Sequence, residues 1–160
     1  MFELGEQLRQ CMRHWPSGVT VVTSQFGAER HGMTVNSFTS VSINPPVVTV
    51  TLANDTRTCK MLLKSGILGI TILSEDQAGI SERFAGHVAE EGNRFDGLEL
   101  FTLSTGAPML VGGLAYLDCR VRAVHPLDFS TLFLLDVIAA QPSTLNRPLI
   151  YFNRGYQKMR

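Results

Sequence analysis

The stretch GMTVNSFTSVSINPP, residues 32–46, is rich in strand-forming residues but lacks the alternation of a simple strand. A strand with one buried face alternates apolar and polar side chains. Here the apolar side chains of Val35, Phe38, Val41 and Ile43 are unevenly spaced, and small hydroxyl and amide side chains fill the positions between them. Such small side chains leave the backbone approachable, so we expect water, another strand or a ligand to lie along this segment.

Strand signals surround this stretch on both sides. Runs of β-branched and aliphatic residues, bounded by Gly, Pro or Asn, predict at least six strands. The strand predictions are residues 19–24 within a hairpin that reaches about residue 39, then 47–52, 67–73, 116–124, 131–140 and 148–153. Pro45-Pro46 interrupts the ladder because proline has no N–H to donate. Many strands with short connections favour a mainly β fold, an antiparallel sheet closed or nearly closed into a barrel with helices outside.

Two of these strands carry an expectation about burial. YLDCRVRAV, at 116–124, alternates cleanly, which predicts an inward face that includes Cys119 and an outward face that includes Asp118. TLFLLDVIAA, at 131–140, is apolar nearly throughout. It therefore predicts a strand that is buried on both faces or that lies in an interface.

Three helices are predicted outside the strands. Residues 3–14 place apolar side chains on one stripe at helical spacing. Asn54-Asp55-Thr56 supplies N-cap candidates for a helix that reaches Ser65, and Gly66 follows as a stop. The segment from Ser74 to Gln77 matches a capping box, which predicts a helix to about Ala85.

Length and composition limit the class of protein. The 160 residues fit one domain, 1–160, and fourteen basic residues balance fourteen acidic ones. This balance argues against a nucleic-acid partner bound through phosphate neutralisation. The three cysteines stand far apart and the four histidines are scattered, so we expect reduced, mostly packed thiols and no metal site. Without an apolar run near the ~20 residues of a membrane span, or a basic signal region, we expect a cytoplasmic protein with no membrane partner.

Two segments remain as candidates for chemistry, because the chain has no GxGxxG, GxxxxGK[ST] or GxSxG motif. The backbone of residues 32–46 could read the edge of a planar heterocycle. Residues 54–58 combine hydroxyls and an arginine with a helix N-terminus, whose free N–H groups and positive dipole end suit a phosphate. Together they predict a ligand with a ring and a phosphate. The alternative is a serine-rich strand followed by an ordinary capped helix, with no ligand.

Five segments together resemble a known family: WPSGVTVVTS, HGMTVNSFTSVSINPPVVTV, SGILGITILSEDQ, SERFAG and PLIYFNRGY. They are similar to the flavin reductase-like, FMN-binding split-barrel proteins, and above all to the small reductase components of two-component flavin monooxygenases. The resemblance runs from about Leu8 to Tyr156. It implies an antiparallel, Greek-key-like split-barrel homodimer that reduces FMN or FAD with NADH or NADPH. The reduced flavin then often passes to a separate oxygenase.

The resemblance also implies positions for the cofactor-binding residues. Those implied to surround the isoalloxazine ring are Thr34, Val35, Asn36, Ser37, Ser40, Val41, Ser42, Leu52 and Asn54. Those implied to hold the phosphate are Thr56, Arg57 and Thr58. Those implied to line the flavin or nicotinamide side are Phe84, Ala85 and Tyr151, with Arg94-Phe95 and Arg154 as further family-like positions.

The chain departs from the family pattern on the nicotinamide side. Leu127-Asp128-Phe129 stands where the family often has Gly-Asp-His. His125 and Asp128 are therefore the catalytic candidates, although no indispensable acid or base is expected because the two cofactors supply the chemistry. Three alternatives stay open. The protein could bind flavin tightly and pass electrons to a corrinoid or redox protein, it could be a non-catalytic flavin- or haem-binding module, or it could be an interaction domain without flavin.

Overall fold

The computed structural model describes residues 2–87 and 93–159, with the backbone alone at Phe2. Three α-helices and twelve strands form in these residues. The helices are α1 (Phe2–Met12), α2 (Arg57–Ser65) and α3 (Ala78–Phe84), which a 3₁₀ turn (Glu75–Gln77) precedes. The strands are β1 (Ser17–Gly18), β2 (Thr20–Phe26), β3 (Glu29–Val35), β4 (Thr39–Ser42), β5 (Val47–Ala53), β6 (Ile67–Ile72), β7 (Leu100–Thr102), β8 (Pro108–Leu110), β9 (Ala115–Pro126), β10 (Ser130–Pro142), β11 (Ile150–Phe152) and β12 (Gly155–Gln157).

Seven strands form one antiparallel sheet in the order β3-β2-β6-β9-β10-β5-β4. Smaller sheets join β1, β11 and β12, and pair β7 with β8. The predicted mainly β, antiparallel class is confirmed. Within the part of the chain that the structure describes, no ladder joins the two edge strands β3 and β4.

The large sheet must nevertheless curl, because β3 and β4 are consecutive in the chain but lie at its opposite edges. Six strand spacings would separate the edges of a flat sheet by about 29 Å. The four residue steps from Val35 to Thr39 span at most about 14 Å. The link at residues 36–38 therefore holds the two edges near each other, and the sheet is a barrel that is split between β3 and β4.

Helix α2 has the ends that the sequence predicts. Thr56 is the N-cap, and its hydroxyl accepts a hydrogen bond from the Cys59 N–H at 3.3 Å. Gly66 follows the helix with φ 68°, a left-handed conformation that glycine adopts without a steric penalty, and its N–H bonds to the Leu62 carbonyl. The buried side chains of Cys59 and Leu62 join the main core. Helix α2 thus packs against the barrel and leaves its N-terminus at the surface.

Two apolar clusters hold these elements together. One fills the barrel, and Leu52, Leu68 and Phe133 are among its fully buried members. The other lies under α3 and the β7–β8 pair, where the rings of Phe84 and Phe95 meet edge to face at 5.2 Å. Two of the three cysteines, Cys59 and Cys119, are buried, and Cys11 is exposed.

The prediction that Asp118 faces outward is wrong. Its side chain is fully buried, and its carboxylate accepts hydrogen bonds from the Thr105 N–H at 2.6 Å and the Thr105 hydroxyl at 2.5 Å. The outer face of β9 at this point is covered by the loop that contains Thr105. A buried carboxylate with two such donors satisfies the rule that buried charges are hydrogen-bonded.

Of the two alternatives predicted for β10, burial on both faces is wrong within this chain, and a place in an interface stays a prediction. Burial alternates along it, so that Thr131, Phe133 and Leu135 point into the barrel while Ile138 is exposed. Within this one chain the strand is therefore buried on a single face for most of its length. An apolar outer face of this kind is typical of a surface that another protein covers.

Candidate functional site

A cavity of about 360 Å³ opens at the N-terminus of α2. The end of β3, the start of α2 and the end of α3 supply most of its walls. The residues that line it are His31, Met33, Thr34, Asp55, Thr56, Arg57, Thr58, Phe84, Ala85 and Arg94. We call it the helix-end cavity. It brings together all three residues that the resemblance assigns to the phosphate.

The two threonines of this cavity are held differently. The Thr56 hydroxyl donates to the Ala53 carbonyl at 2.8 Å while it caps the helix. Thr58 is fully buried, and its hydroxyl lies 2.8 Å from Nδ1 of His31. The Thr58 hydroxyl is therefore used within the protein. The first-turn N–H groups of α2, which lack carbonyl partners within the helix, are the groups that suit an anion here.

The charge of the helix-end cavity is positive. Among the described residues, Arg57 and Arg94 line it together with one carboxylate, Asp55. Arg94 also fixes the shape of the wall, because its Nη1 donates to the carbonyls of Gly32 and Phe84 at 3.1 Å each. Together with the positive end of the α2 dipole, this arrangement favours a phosphate-sized anion.

A second cavity, of about 240 Å³, adjoins the first and has mainly neutral walls. The end of β3, the residues after α3 and the two C-terminal strands line it. Its lining residues are Val19, Thr34, Val35, Asn36, Ala85, His87, Tyr151 and Tyr156. We call it the ring cavity. Thr34 and Ala85 line both cavities, so the two adjoin, and we call the pair the groove.

Hydrogen bonds fix the walls of the ring cavity. The Thr34 hydroxyl donates to the Ser81 carbonyl at 2.6 Å, and the Tyr156 hydroxyl donates to the Ser81 hydroxyl at 2.7 Å. Burial, reinforced by the neighbouring Glu82, raises the pKa of Tyr156. The phenol therefore stays protonated near neutral pH and continues to donate its hydrogen bond. The Tyr151 and Tyr156 rings meet at 5.8 Å and form an aromatic wall.

One charged pair stands at the rim of the ring cavity. Nδ1 of His87 lies 2.6 Å from Oε2 of Glu82, and both side chains are largely exposed. The hydrogen bond from His87, followed by the one from Tyr156, lowers the pKa of Glu82. Glu82 is thus a carboxylate at neutral pH and orients the imidazole beside the cavity.

Other residues implied to surround the flavin ring lie outside these two cavities. Ser37 is pinned to β5, since its hydroxyl donates to the Thr51 carbonyl at 2.8 Å and accepts from the Thr51 N–H at 3.1 Å. The side chain of Leu52 is in the barrel core. Ser40, Val41 and Ser42 lie on the edge strand β4. Their roles toward a flavin stay a prediction.

Asn54 holds the turn between β9 and β10, a role that uses both ends of its amide. Its Nδ2 donates to the carbonyls of Leu127 and Asp128, at 3.1 and 3.4 Å, and its Oδ1 accepts from the Thr131 hydroxyl at 2.7 Å. The side chain of Phe129, at the tip of this turn, is 88% exposed. The catalytic candidates His125 and Asp128 are exposed near the same tip and line neither cavity.

Several residues that line the cavities were not predicted from the sequence. His31 and Met33 lie two positions apart on β3, so strand alternation could have placed them on the same face as Val35. His87 carries no local signal, because its position depends on how the chain leaves α3. Among the described residues, no group of three or more side chains is arranged to hold a metal ion, and no helix there could span a bilayer.

Comparison with known proteins identifies the chain's relatives. The family described as "Flavin reductase like domain" matches residues 12–160. The chain belongs to the flavin reductase-like family. It is 37% identical over 155 residues to the reductase component of an FADH₂-dependent resorcinol hydroxylase from a Rhizobium species, which covers 96% of this chain and 86% of that protein.

Two further relatives place this flavin reductase-like chain in the same group. An NADH-dependent flavin reductase from a Rhodococcus species is 39% identical over 128 residues, which covers 78% of this chain and 70% of that protein. The solved structure of the NADH:FAD oxidoreductase SgcE6 from Streptomyces globisporus, in complex with NAD and FAD fragments, matches with a TM-score of 0.89 and 30% identity. That match covers 98% of this chain and 93% of the solved one.

Proposed function

We propose that this protein is a flavin reductase that transfers hydride from NADH or NADPH to FMN or FAD. The observation that carries the proposal is the groove, in which a positively charged helix end adjoins a neutral cavity with aromatic and backbone walls. A flavin mononucleotide has the same order of parts, a phosphate and then a planar ring. The names of the relatives, NADH-dependent flavin and FAD reductases, support the same reading.

The groove residues would hold the flavin as follows. The start of α2, with Arg57 and the capped first turn, would bind the phosphate. The end of β3, at residues 34–36, would lie along the ring, and the tyrosine pair of the C-terminal strands would keep water from its far side. Bound flavin supplies the hydride acceptor. The residues supply position, because hydride transfer requires the two rings to be held in contact.

No side chain of the groove has to serve as an acid or base in this scheme. His87, held by Glu82, is the one imidazole that lines the ring cavity. An imidazole N–H there would donate a hydrogen bond toward the negative charge that reduction places on a flavin ring. We therefore give His87 the supporting role for which His125 and Asp128 were the candidates from the sequence.

The test is anaerobic mixing of the pure protein with excess FMN or FAD and excess NADH or NADPH, followed through the visible absorbance of the flavin. A flavin reductase bleaches many equivalents per protein chain. Bleaching of at most one bound equivalent would replace this proposal with a tight flavoprotein that passes electrons to another acceptor. Absence of both bleaching and flavin binding would contradict any flavin function.

Three exposed positions provide matched variants for the same assay. Ala85 lines both cavities and is exposed, so Ala85→Trp should fill their junction and weaken FMN binding at least tenfold. Ala28 lies in the β2–β3 turn and lines neither cavity, so Ala28→Trp is the control and should bind normally. Ser40→Trp, on β4, then decides whether the bound ring extends beyond the groove to that strand.

The proposal includes partners. Relatives are named as reductase components of a resorcinol hydroxylase and of 4-hydroxyphenylacetate 3-monooxygenase, which supports delivery of reduced flavin to a separate oxygenase. We also propose a homodimer, which the outward apolar face of β10 and the exposed apolar stripe of α1 support. A cytoplasmic location is part of the proposal and is supported by three cysteines without a disulfide and by the need for NAD(P)H.

A further inference from the structure

A third cavity, of about 210 Å³, lies beside the ring cavity and is rich in arginine. The C-terminal end of α1 and the turn between β11 and β12 form its walls. Its lining residues are Arg9, Met12, Arg13, Trp15, Asn36, Tyr151, Asn153 and Arg154. We call it the arginine cavity. Of the described residues, three with guanidinium groups and none with a carboxylate line it, and these residues together carry a formal charge of +3.

Backbone hydrogen bonding and a tight turn fix the walls of the arginine cavity. The Asn153 N–H donates to the Arg13 carbonyl at 3.2 Å, which ties the C-terminal turn to the end of α1. Asn153 and Arg154 have φ values of 48° and 65°, as the two central residues of a type I′ hairpin turn require. This tight turn fixes Arg154 beside the end of α1.

Two of the three guanidinium groups, those of Arg9 and Arg154, are exposed, and the third has an unsatisfied N–H. Nε of Arg13 is buried and has no hydrogen-bond partner among the described residues. Arg9 pairs with Glu6 at 3.4 Å, but both side chains are exposed, and exposed pairs of this kind contribute little. An anion in the cavity could therefore receive charge-assisted hydrogen bonds from groups that the fold itself leaves largely unused.

The position of the cavity restricts which anion it would serve. It shares Asn36 and Tyr151 with the ring cavity, and it shares no lining residue with the helix-end cavity. The two cationic cavities thus adjoin the ring cavity through different residues. If the α2 end binds the phosphate of the flavin, the arginine cavity is left for a second anionic substrate that reaches the ring.

We propose that the arginine cavity binds the pyrophosphate of the nicotinamide dinucleotide. This inference rests on the proposed function, which requires the nicotinamide to lie against the flavin ring. Arginine recognises pyrophosphate oxygens through bidentate hydrogen bonds that lysine cannot form. Arg9, Arg13 and Arg154 are the residues that would recognise it, and they determine affinity for the dinucleotide rather than for flavin. A pyrophosphate could also come from the adenylate half of FAD, and the experiment separates the two sources.

The experiment uses the variants Arg9→Gln, Arg154→Gln and the double variant, both positions being exposed. Calorimetry measures the binding of ADP-ribose, which carries the pyrophosphate without nicotinamide. Steady-state kinetics measure KM for NADH, FMN and FAD separately.

Each lost charge-assisted bond should weaken ADP-ribose binding and raise KM for NADH by about tenfold. The affinities for FMN and FAD should stay within about twofold. Arg147→Gln is the control, because Arg147 is exposed, pairs with Glu75 at 3.5 Å and lines none of the three cavities.

Each outcome decides the inference. Unchanged ADP-ribose binding in the double variant overturns it, whether or not the protein reduces flavin. A raised KM for FAD, with unchanged values for FMN and NADH, assigns the pyrophosphate to the flavin and also overturns it. Weakened ADP-ribose binding in the variants supports it even in a protein that fails to reduce flavin, so failure of the proposed function would be recognised separately.

Discussion

Thr56 combines two duties at the end of α2. Its hydroxyl satisfies the Cys59 N–H, one of the groups that a helix leaves without a carbonyl partner, and its side chain lines the helix-end cavity. Helix capping tolerates a negatively charged side chain at this position, whereas phosphate binding does not. A helix N-terminus accepts a carboxylate readily, whereas a phosphate is repelled by one.

Substitution at Thr56 should separate these duties. Thr56→Ala removes the cap and should lower the free energy of unfolding by about 1 kcal/mol. Thr56→Asp keeps the cap, so its stability should match the wild type, but its charge should weaken FMN binding about tenfold or more. Urea titration and flavin fluorescence measure the two effects. Riboflavin, which has no phosphate, is the control ligand and should bind Thr56→Asp nearly as well as wild type. Equal losses for FMN and riboflavin would place the phosphate elsewhere.

The three cysteines should react at very different rates. Burial, followed by the charges of Asp118 and Asp136, raises the pKa of Cys119 to about 12. At pH 8 only about one Cys119 in 10⁴ is a thiolate, the form that reacts with alkylating reagents. Mass spectrometry should therefore find one adduct, on the exposed Cys11, in the native protein and three in denaturant. Native modification of Cys119 as fast as Cys11 would contradict the described burial.

The same thiol gives a pH dependence with a definite sign. The pKa of Cys119 is higher in the folded protein than in the unfolded chain, where it is about 8.5 to 9. Folding thus favours the neutral thiol, and its contribution is complete below the unfolded pKa. That contribution is lost as pH rises toward 12.

The serine and threonine hydroxyls show which roles of single residues the sequence can predict and which it cannot. The helix start at Thr56, Arg57 and Thr58 was predictable because capping is a local effect, and the role of these residues toward a phosphate stays a prediction. The division of hydroxyls between ligand and protein was not predictable. Ser37 bonds to Thr51, fourteen positions away, and Thr58 bonds to His31, twenty-seven positions away. Either use satisfies a hydroxyl equally well, so only the fold decides.

At the scale of elements, β6 depends on a close approach that only glycine permits. A Cβ at Gly69 would lie 2.7 Å from the Thr23 hydroxyl and 2.9 Å from the Pro108 carbonyl. The Thr23 hydroxyl also bonds to the carbonyls of Gly69 and Pro108, so it has no room to withdraw. The β7–β8 pair is thereby seated directly on the large sheet.

A pair of glycine substitutions tests this seating. Gly69→Ala should destabilise the protein by about 1–3 kcal/mol through overpacking. Gly79, in α3, has open space around its Cα, so Gly79→Ala should instead stabilise by about 0.5–1 kcal/mol by improving helix propensity. The urea midpoints of the two variants should move in opposite directions. A neutral Gly69→Ala would mean that β8 lies farther from β6 than described.

Element boundaries follow from the sequence where the signals are local. The cap at Thr56, the stop at Gly66 and the capping box between Ser74 and Gln77, where the Gln77 side chain accepts from the Ser74 N–H at 3.0 Å, are all where the residues indicate. Asp118 shows the limit of local pattern. The side chain of Asp118 is buried because a loop brings Thr105 against it. The alternation of residues along β9 contains no information about that loop.

At the scale of the whole molecule, the residues that link β3 to β4 determine the shape. They join opposite edges of a seven-stranded sheet within a few residues, which forces it to curl. The barrel class was predictable from the number of strands and their short connections. The strand order was not, because it depends on pairings between residues far apart in sequence, such as β2 with β6 and β5 with β10.

The surface of α1 gives a prediction about assembly. Leu4, Leu8, Met12 and Trp15 are between 53% and 70% exposed, although they form one apolar stripe. A monomer seldom exposes such a stripe, and in the homodimer we propose a second copy of the chain would cover its N-terminal part, at Leu4 and Leu8, and leave the arginine cavity open. Leu8→Glu should therefore shift the protein from dimer to monomer in sedimentation experiments. Gln10→Glu, on the opposite side of the helix, adds the same charge and should remain dimeric. Dimers in both variants would place the interface elsewhere.

The hydrogen bonds of Asn54 hold the turn between β9 and β10 in a way that does not depend on the side chains at its tip. Two of its bonds are received by the carbonyls of Leu127 and Asp128, and a carbonyl is present whatever the side chain. The anchorage of the turn therefore does not depend on the residue that occupies its tip. A large aromatic such as Phe129 can stand there without loosening the turn. Other tip sequences between Leu127 and Ser130 should therefore be accepted with little change in the anchorage of the turn.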